Sequence, residues 1–531
     1  MYNIIPQPVS ILTSNDKKGF TLHAGTTITP SPFSDIFISF VRKTLNKKVR
    51  EHEDTGEEKS IILKLDENIS HDEGYTLRCE NRRVFINAKT EAGLFYGLQT
   101  LMQMLLQTNG KLPYTLIEDY PRFSYRGFML DSGRYFFPVG DVKRIADLMA
   151  LHKLNVLHWH LTEDQGFRVE IKKYPLLTQK GSVRSHTNFN RKPHGGYYTA
   201  EDIKEIVGYC RQRNIKVIPE FDIPGHSSAA IACYPYLSCL DRKLEVATHW
   251  GVKHDILCAG KESTYQFVFD VLDELMQLFP DGVIHIGGDE AVKMRWRECP
   301  YCQKAIRENS LRDEDELQAY FMSRVNDYLK AHSFKSVMWN YDLNRADDIP
   351  ADIAWTVCAS PADGKTMKEE AMRGRKLINT AAFPYYLDLP YGWNTLKRVC
   401  SFNPALTDNE EDTLGVEGCM WTEYVPNMKV LERKAFPRLG AIAEAGWAQK
   451  DYPSFTTFLY KAADYLKLLD VYSVNYTAIK RAHPSFAVKH MSSLWFRRRV
   501  FHWQGLYNLF DDAAAKREAE KLREKLKNNC E

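Results

Sequence analysis

Between Tyr125 and Glu423 the chain repeats one unit: a short apolar run that closes on polar or aromatic residues, followed by a stretch with helical spacing. The runs are "RGFMLDSGR", "LNVLHWHLTED", "IKVIPEFDIPGH", "GVIHIGGDE", "SVMWNYD", "IAWTVC", "KLINTAAF" and "GVEGCMWTE", eight in all. The intervening segments, such as "GDVKRIADLMALHK", "TAEDIKEIVGYCRQRN" and "YQFVFDVLDELMQLF", place apolar residues three and four apart. Short buried strands alternating with helices make a parallel sheet, and eight such units close into a (β/α)8 TIM-type barrel of the α/β class, with its active site at the C-terminal strand ends. One connection breaks the pattern. "LNRADDIPAD", between the fifth and sixth runs, is short and interrupted by Pro350, so its helix is expected to be missing or reduced to a turn.

The flanks read differently. Residues 1–117 hold "SIILKL" and "YTLRCENRRVFINA", two strand patterns, the second with a turn at Glu80 to Arg82. They also hold the helical "TEAGLFYGLQTLMQMLLQ", which stops at Asn109-Gly110. This predicts a small N-terminal α/β accessory domain, joined by "IEDYPRFSYRG" to a barrel over 118–455. Residues 456–531 read as a helical C-terminal segment, with an apolar stripe of Val500, Trp503, Tyr507 and Phe510 that should be buried and a charged final helix.

A chain of 531 residues with a formal net charge of +3 gives no global sign of a nucleic-acid partner, and no apolar stretch reaches membrane-spanning length. The start, "MYNIIPQPVSIL", lacks a basic region followed by a long apolar run. A cytoplasmic location is therefore expected, or a secreted one if a leader has been removed. Eleven cysteines at irregular spacing do not read as a disulfide framework. "CPYC", Cys299 to Cys302, lacks the strand-then-helix setting of a thioredoxin motif, and a lone pair is two ligands short of a structural zinc site. It is read as structural thiols, and no metal or cofactor is expected. Asn68-Ile-Ser and Asn475-Tyr-Thr match the glycosylation sequon, which has meaning only after secretion.

The chemistry concentrates at "HIGGDEAVKMRW", where Asp289 and Glu290 follow the fourth run directly. Two carboxylates held close cannot both ionise freely, so one keeps its proton toward neutral pH, which is what a general acid requires. The two glycines before them suit a close backbone approach to a ligand. An isolated Asp-Glu pair would more often be a solvated helix start, but at a barrel strand end, among other strand-end polar groups, the catalytic reading is favoured.

Together "GFMLDSGRYF", "LHWHLTEDQGFR", "VIPEFDIPGH", "HIGGDEA", "YYLD" and "WTE" resemble, in order, the sequence blocks of glycoside hydrolase family 20, the β-N-acetylhexosaminidases. "AGLFYGLQTL" is similar to that family's N-terminal accessory domain. The resemblance spans most of the chain and leaves out about the last sixty residues. It implies Glu290 as general acid/base and Asp289 as the residue that orients the substrate's 2-acetamido group. It implies Arg134 holding sugar hydroxyls, and Asp164, Asp222 and His226 supporting the acid and its partner. Trp339, Trp355 and Trp421 would wall the pocket, Tyr386 would donate to the acetamido oxygen, and Asp388 and Glu423 would bind the far edge of the sugar. Trp393 would stack on the next sugar. The activity implied is exo-acting release of terminal N-acetylglucosamine, with N-acetylgalactosamine as a second candidate, at retained configuration. The expected partner is an oligosaccharide or glycoconjugate, with the oligomeric state open and a homodimer one option. A disaccharide-releasing relative needs an open second subsite, which the Asp388 and Glu423 edge opposes. A non-catalytic sugar-binding barrel is opposed by the presence of both Asp289 and Glu290.

Overall fold

A computed structural model describes residues 2–15, 18–53, 59–187, 191–340, 348–358, 365–449, 454–494 and 517. Eight parallel strands close into a barrel: β1 (Tyr125–Asp131), β2 (Val156–His160), β3 (Lys216–Ile223), β4 (Val283–Gly287), β5 (Lys335–Trp339), β6 (Ala354–Val357), β7 (Leu377–Asn379) and β8 (Thr413–Met420), with β8 returning to pair β1. Each lies on its predicted run. The strands are buried on both sides, which explains why they read as continuous apolar stretches rather than alternating ones.

The helices between them are α1 (Val139–Leu151), α2 (Ala200–Arg211), α3 (Glu262–Leu278), α4 (Glu314–Ala331), α5 (Lys365–Met372) and α6 (Leu396–Cys400), with α7 (Arg438–Trp447) after the last strand. The α2 helix shows how the sequence sets one up. Thr199 accepts from the Asp202 N–H while Asp202 accepts from the Thr199 N–H, and Ile203, Ile206, Val207 and Cys210 form the buried stripe. Between β5 and β6 the described residues 348–353 form only a turn, as Pro350 and the short connection predict; the rest of that connection lies outside the described residues.

The N-terminal part is a seven-stranded mixed sheet covered by helices Ser34–Leu45 and Glu91–Gln107. Its central hairpin, Tyr75–Glu80 with Arg83–Ala88, turns on Asn81 and Arg82, both at positive φ (47° and 65°), the backbone a two-residue hairpin needs. Buried charges tie this part to the barrel. Arg126 of β1 donates two bonds of 2.8 Å to Glu73, and Lys153 Nζ lies 2.8 Å from Asp119, which also accepts from the Trp447 indole at 2.9 Å. Such pairs must stay matched, because removing one partner strands a buried charge. After the barrel the described chain is helical over Phe455–Val471, Ile479–Ala482 and 486–494. The predicted stripe of Val500, Trp503, Tyr507 and Phe510 and the charged final helix lie outside the described residues.

Inside the barrel, side chains form layers, as closure of eight tilted strands requires. The bottom layer is apolar: Tyr125, Val156, Ile218, Val337 and Ile378. The middle layer is ionic. Glu220 of β3 contacts His158 Nε2 (3.0 Å), His160 Nδ1 (2.6 Å) and His285 Nδ1 (3.1 Å), and it accepts from the Trp339 indole at 2.6 Å. Burial alone would raise the Glu220 carboxyl, but the three imidazoles outweigh it and hold the group well below the usual carboxylate range. Above this layer, Met129, Trp339, Cys358 and Cys419 pack with Tyr386 and Trp421 to floor a pocket at the C-terminal strand ends.

Candidate active site

Asp289 and Glu290 stand on the loop leaving β4, and both reach the same imidazole. His226 Nε2 is 3.8 Å from Asp289 Oδ2 and 3.3 Å from Glu290 Oε2. His226 comes from the loop after β3 and holds a positive φ of 47°; Glu290 holds 48°. For residues with a Cβ this backbone is uncommon, and it persists where surrounding packing over-determines it. The preceding glycines serve the protein before any ligand. At Gly287 (φ 64°) a Cβ would fall 1.8 Å from Asp222 Oδ1, so only glycine lets the Asp222 carboxyl slide beneath the loop toward Asp289.

The far nitrogen of His226, Nδ1, lies 2.8 Å from Glu163 Oε1 and 3.5 Å from Asp164 Oδ2. Burial opposes a charged imidazole here, but Glu163 and Asp222 outweigh it, so His226 is held protonated well above the ordinary histidine range. Glu163 also bonds Arg134 Nη2 at 2.6 Å. Arg134 is further fixed by Asp131 at 3.1 Å, faces Glu423 at 3.6 Å, and lays its guanidinium 4.9 Å from the centre of the Trp421 ring. Glu163 is thus the hub joining the arginine to the histidine. The sequence reading named its neighbour Asp164 and not Glu163; Asp164 also approaches His226 Nδ1 and accepts the Ser228 N–H at 2.9 Å, which pins the loop after β3. Strand alternation gave no signal for Glu163: counting in twos from the inward-facing His158 and His160 reaches Asp164 instead.

The carboxylate pair does split in proton affinity, as the sequence reading expects, and the one that rises is Asp289 rather than the acid the resemblance implies. Asp289 is pushed up to about 6, first by burial and then by Glu290, against the pull of His226. Glu290 is held below its usual range, because its bond to the charged His226 outweighs burial. Asp222 is raised well above the ordinary range by burial and by Asp289. Two carboxyls brought together under one loop oppose each other's ionisation, because both cannot be charged cheaply.

Around the pair, Trp339 lies on the floor with its ring 5.5 Å from that of Trp421, and Tyr386 stands 6.1 Å from Trp421. Asp388, half-buried on the loop after β7, is raised to about 7 by loss of water around its carboxyl and by Glu423. These two therefore meet at one edge, with Lys434 donating to the Asp388 main-chain oxygen. Trp355 does not join them. Thr356, its neighbour on β6, faces the barrel interior and bonds His285 at 2.9 Å, so Trp355 faces outward. Its ring is covered by Arg375, 4.0 Å from the ring centre, and that guanidinium donates to Ile353 and Pro350. Two residues on from Thr356, Cys358 takes the place in the floor. Trp393 sits on the loop after β7, its indole donated to Ser493 at 2.7 Å and its ring 5.9 Å from Phe383.

The Cys299–Cys302 pair is not alone, as the sequence reading took it to be. Cys239 and Cys258 lie against it, and the four sulfurs sit within 4.8 Å of one another.

The chain matches the models of "Glycosyl hydrolase family 20, catalytic domain" over residues 123–450 and of "Glycosyl hydrolase family 20, domain 2" over residues 1–120. A β-hexosaminidase of Porphyromonas gingivalis is 38% identical over 513 residues, which cover 89% of this chain and 64% of that protein, a little under two thirds of its length. The crystal structure of a β-N-acetylhexosaminidase from Bacteroides fragilis superposes with a TM-score of 0.79 at 31% identity, covering 91% of this chain and 98% of that one. A family 20 exo β-N-acetylglucosaminidase from Vibrio harveyi, solved with N-acetylglucosamine, gives 0.80 at 26% identity, covering 90% and 78%.

Proposed function

The chain belongs to glycoside hydrolase family 20, and from that premise we propose that it removes terminal N-acetylglucosamine from oligosaccharides or glycoconjugates by substrate-assisted hydrolysis with retained configuration. The observation that carries the mechanism is that Asp289 and Glu290 approach one and the same nitrogen of His226. Most retaining glycosidases set two carboxyls ~5–5.5 Å apart on opposite sides of the scissile bond, one of them a nucleophile. Two residues adjacent on one loop and turned to one imidazole serve neighbouring atoms on the same side. The nucleophile is then the substrate's own 2-acetamido oxygen, the recognised exception to the two-carboxylate scheme.

In this reading the acetamido oxygen attacks the anomeric carbon and the glycosidic bond breaks toward Glu290, which delivers a proton to the leaving oxygen. An oxazolinium ion forms. Asp289, on charge, faces the acetamido N–H and stabilises the positive charge as it grows, a field built before the reaction begins. Tyr386 donates to the acetamido oxygen, and Trp339 and Trp421 enclose its methyl. Water then opens the ring with Glu290 as base. Glu290 begins below its usual proton affinity because the open site lets it lean on His226. Its side chain is 32% exposed, and a bound sugar would strip that water away and raise it toward the protonated form the first step needs. Arg134, Asp388 and Glu423 hold the sugar hydroxyls at the closed end.

A pair of chromogenic substrates tests this. An aryl N-acetyl-β-glucosaminide should be turned over readily, and the matching β-glucoside, lacking the acetamido group, very poorly even where it binds. Comparable rates on both, or a covalent sugar adduct on Asp289 seen by intact mass during turnover, would overturn it.

A further inference from the structure

Outside the sugar site, the strongest gathering of chemistry is the four cysteines. Cys299 and Cys302 lie at the start of helix Pro300–Glu308, Cys258 precedes α3, and Cys239 follows the turn Pro235–Leu237. Three separate segments therefore bring their sulfurs to one point. The Sγ···Sγ separations are 3.6 Å (Cys258–Cys302), 3.7 Å (Cys258–Cys299) and 3.9 Å (Cys239–Cys302). A disulfide would hold two sulfurs at ~2.05 Å. Four thiolates bound tetrahedrally to zinc at ~2.3 Å stand ~3.8 Å apart, because the edge of a tetrahedron is about 1.6 times its radius. The observed separations match the second geometry.

The surroundings are built to suit it. Cys258, Cys299 and Cys302 are fully buried. The Cys302 N–H donates to the Cys299 sulfur, the kind of support that orients a thiolate ligand. At Gly260 a Cβ would fall 2.2–2.4 Å from the Tyr301 and Cys302 backbone, so the glycine is what lets the Cys258 loop press against the CxxC turn. Lys261, donating to the Ser238 carbonyl at 2.7 Å, brings a positive charge beside a cluster that would carry net negative charge.

We propose that Cys239, Cys258, Cys299 and Cys302 bind one structural zinc ion. With four protein ligands it has no open position and takes no part in hydrolysis. Its place in the fold gives it a purpose. The Leu257 N–H donates to the Pro224 carbonyl at 3.0 Å, two residues before His226 in the same loop, and the Leu257 carbonyl accepts at 3.0 Å from the indole of Trp296, in the short helix Met294–Glu298 that follows the Asp289–Glu290 loop. The cysteine cluster therefore clamps together the two loops whose residues must meet at His226 Nε2. In a reducing compartment, where disulfides do not persist, a metal is the available cross-link.

The test is metal analysis of the full chain purified without chelators. Mass spectrometry of the dialysed protein should find about one zinc per chain, as a closed tetrathiolate site requires. A mercurial reagent should release it as the cysteines react, and Cys258→Ser should bring the content to near zero. Protein grown on cobalt should show the intense thiolate-to-metal bands and visible absorption of a tetrahedral tetrathiolate. That readout needs no variant and so stands if Cys258→Ser fails to fold. Protein without bound metal, iron in place of zinc, or a mass showing disulfides among these four would overturn the proposal.

Discussion

Replacing Asp289 with Asn should make the protein more stable and less active at once, and the pH dependence of the gain is specific. The Asp289 side chain is 15% exposed, and its carboxyl is raised from 3.8 to about 6, chiefly by burial. At about 1.4 kcal/mol per pH unit, keeping it ionised in the folded protein costs up to about 3 kcal/mol. The sign follows from the raised value. Below the unfolded value of 3.8 both states are protonated and nothing is lost. As pH climbs to about 6 the folded state retains a proton that the unfolded state has released, so stability falls, and above that the loss is constant. Asn carries no charge and escapes this loss. The variant should therefore resist urea better than the wild type near pH ~8, by up to about 3 kcal/mol, with the advantage gone near pH ~4. Relief of Asp222, now facing an amide, acts in the same direction. The kcat should fall on the order of 10²–10³-fold, the scale for losing one preorganised charge-stabilising group. Paired urea titrations by tryptophan fluorescence at the two pH values, with kcat on an aryl N-acetylglucosaminide, read both effects. A variant weaker than wild type near neutral pH, or one whose gain is the same at both pH values, would refute the reasoning.

Glu290→Gln should keep the fold and lose ~10²–10⁴-fold on disaccharides, whose leaving groups need a proton, and less on activated aryl glycosides; wild-type turnover of a disaccharide would remove Glu290 from its role. Trp355→Ala should cost about 3–5 kcal/mol of stability with KM nearly unchanged, whereas Trp339→Ala should raise KM, since only the second ring faces the pocket. A thermal melt and a Michaelis curve on each variant compare them, and a large KM effect at Trp355 without destabilisation would contradict its outward placement. Glu163→Gln removes the carboxylate that bonds both Arg134 and His226. The His226 imidazole should lose its proton more easily, its hold on Glu290 should weaken, and the Glu290 titration in the kcat/KM profile should move to higher pH. A profile whose limbs stay in place would show that Glu163 does not act through His226.

What could be read from the sequence was whatever a local period carries. Eight apolar runs separated by helical spacing are enough to specify a closed parallel barrel, because buried parallel strands and amphipathic helices each impose their own repeat and short connections leave few ways to join them. The expectation of a missing or reduced helix before β6 was equally local, written in Pro350 and a short connection, and the described residues 348–353 form only a turn. The adjacency of Asp289 and Glu290 was itself a chemical statement, since neighbours on a loop cannot oppose each other across a sugar ring. Tertiary structure decided what depends on direction and on distant partners. Trp355 was expected in the pocket because the family resemblance implied it, but side chains on a strand alternate, and only the register against His285 showed that Thr356 faces in and Trp355 out. That both Glu163 and Asp164 meet His226 turned on a loop some sixty residues later. The proton affinities of Asp289 and Glu290 were set by Asp222 and a charged His226 brought in from β3, so the pair alone could not say which would rise. The cysteines make the point most plainly. Cys299 and Cys302 announce half a metal site by their spacing, and the other half arrives from Cys239 and Cys258, whose distance along the chain carries no period, because a tetrahedron of sulfurs is a property of where the folded loops cross.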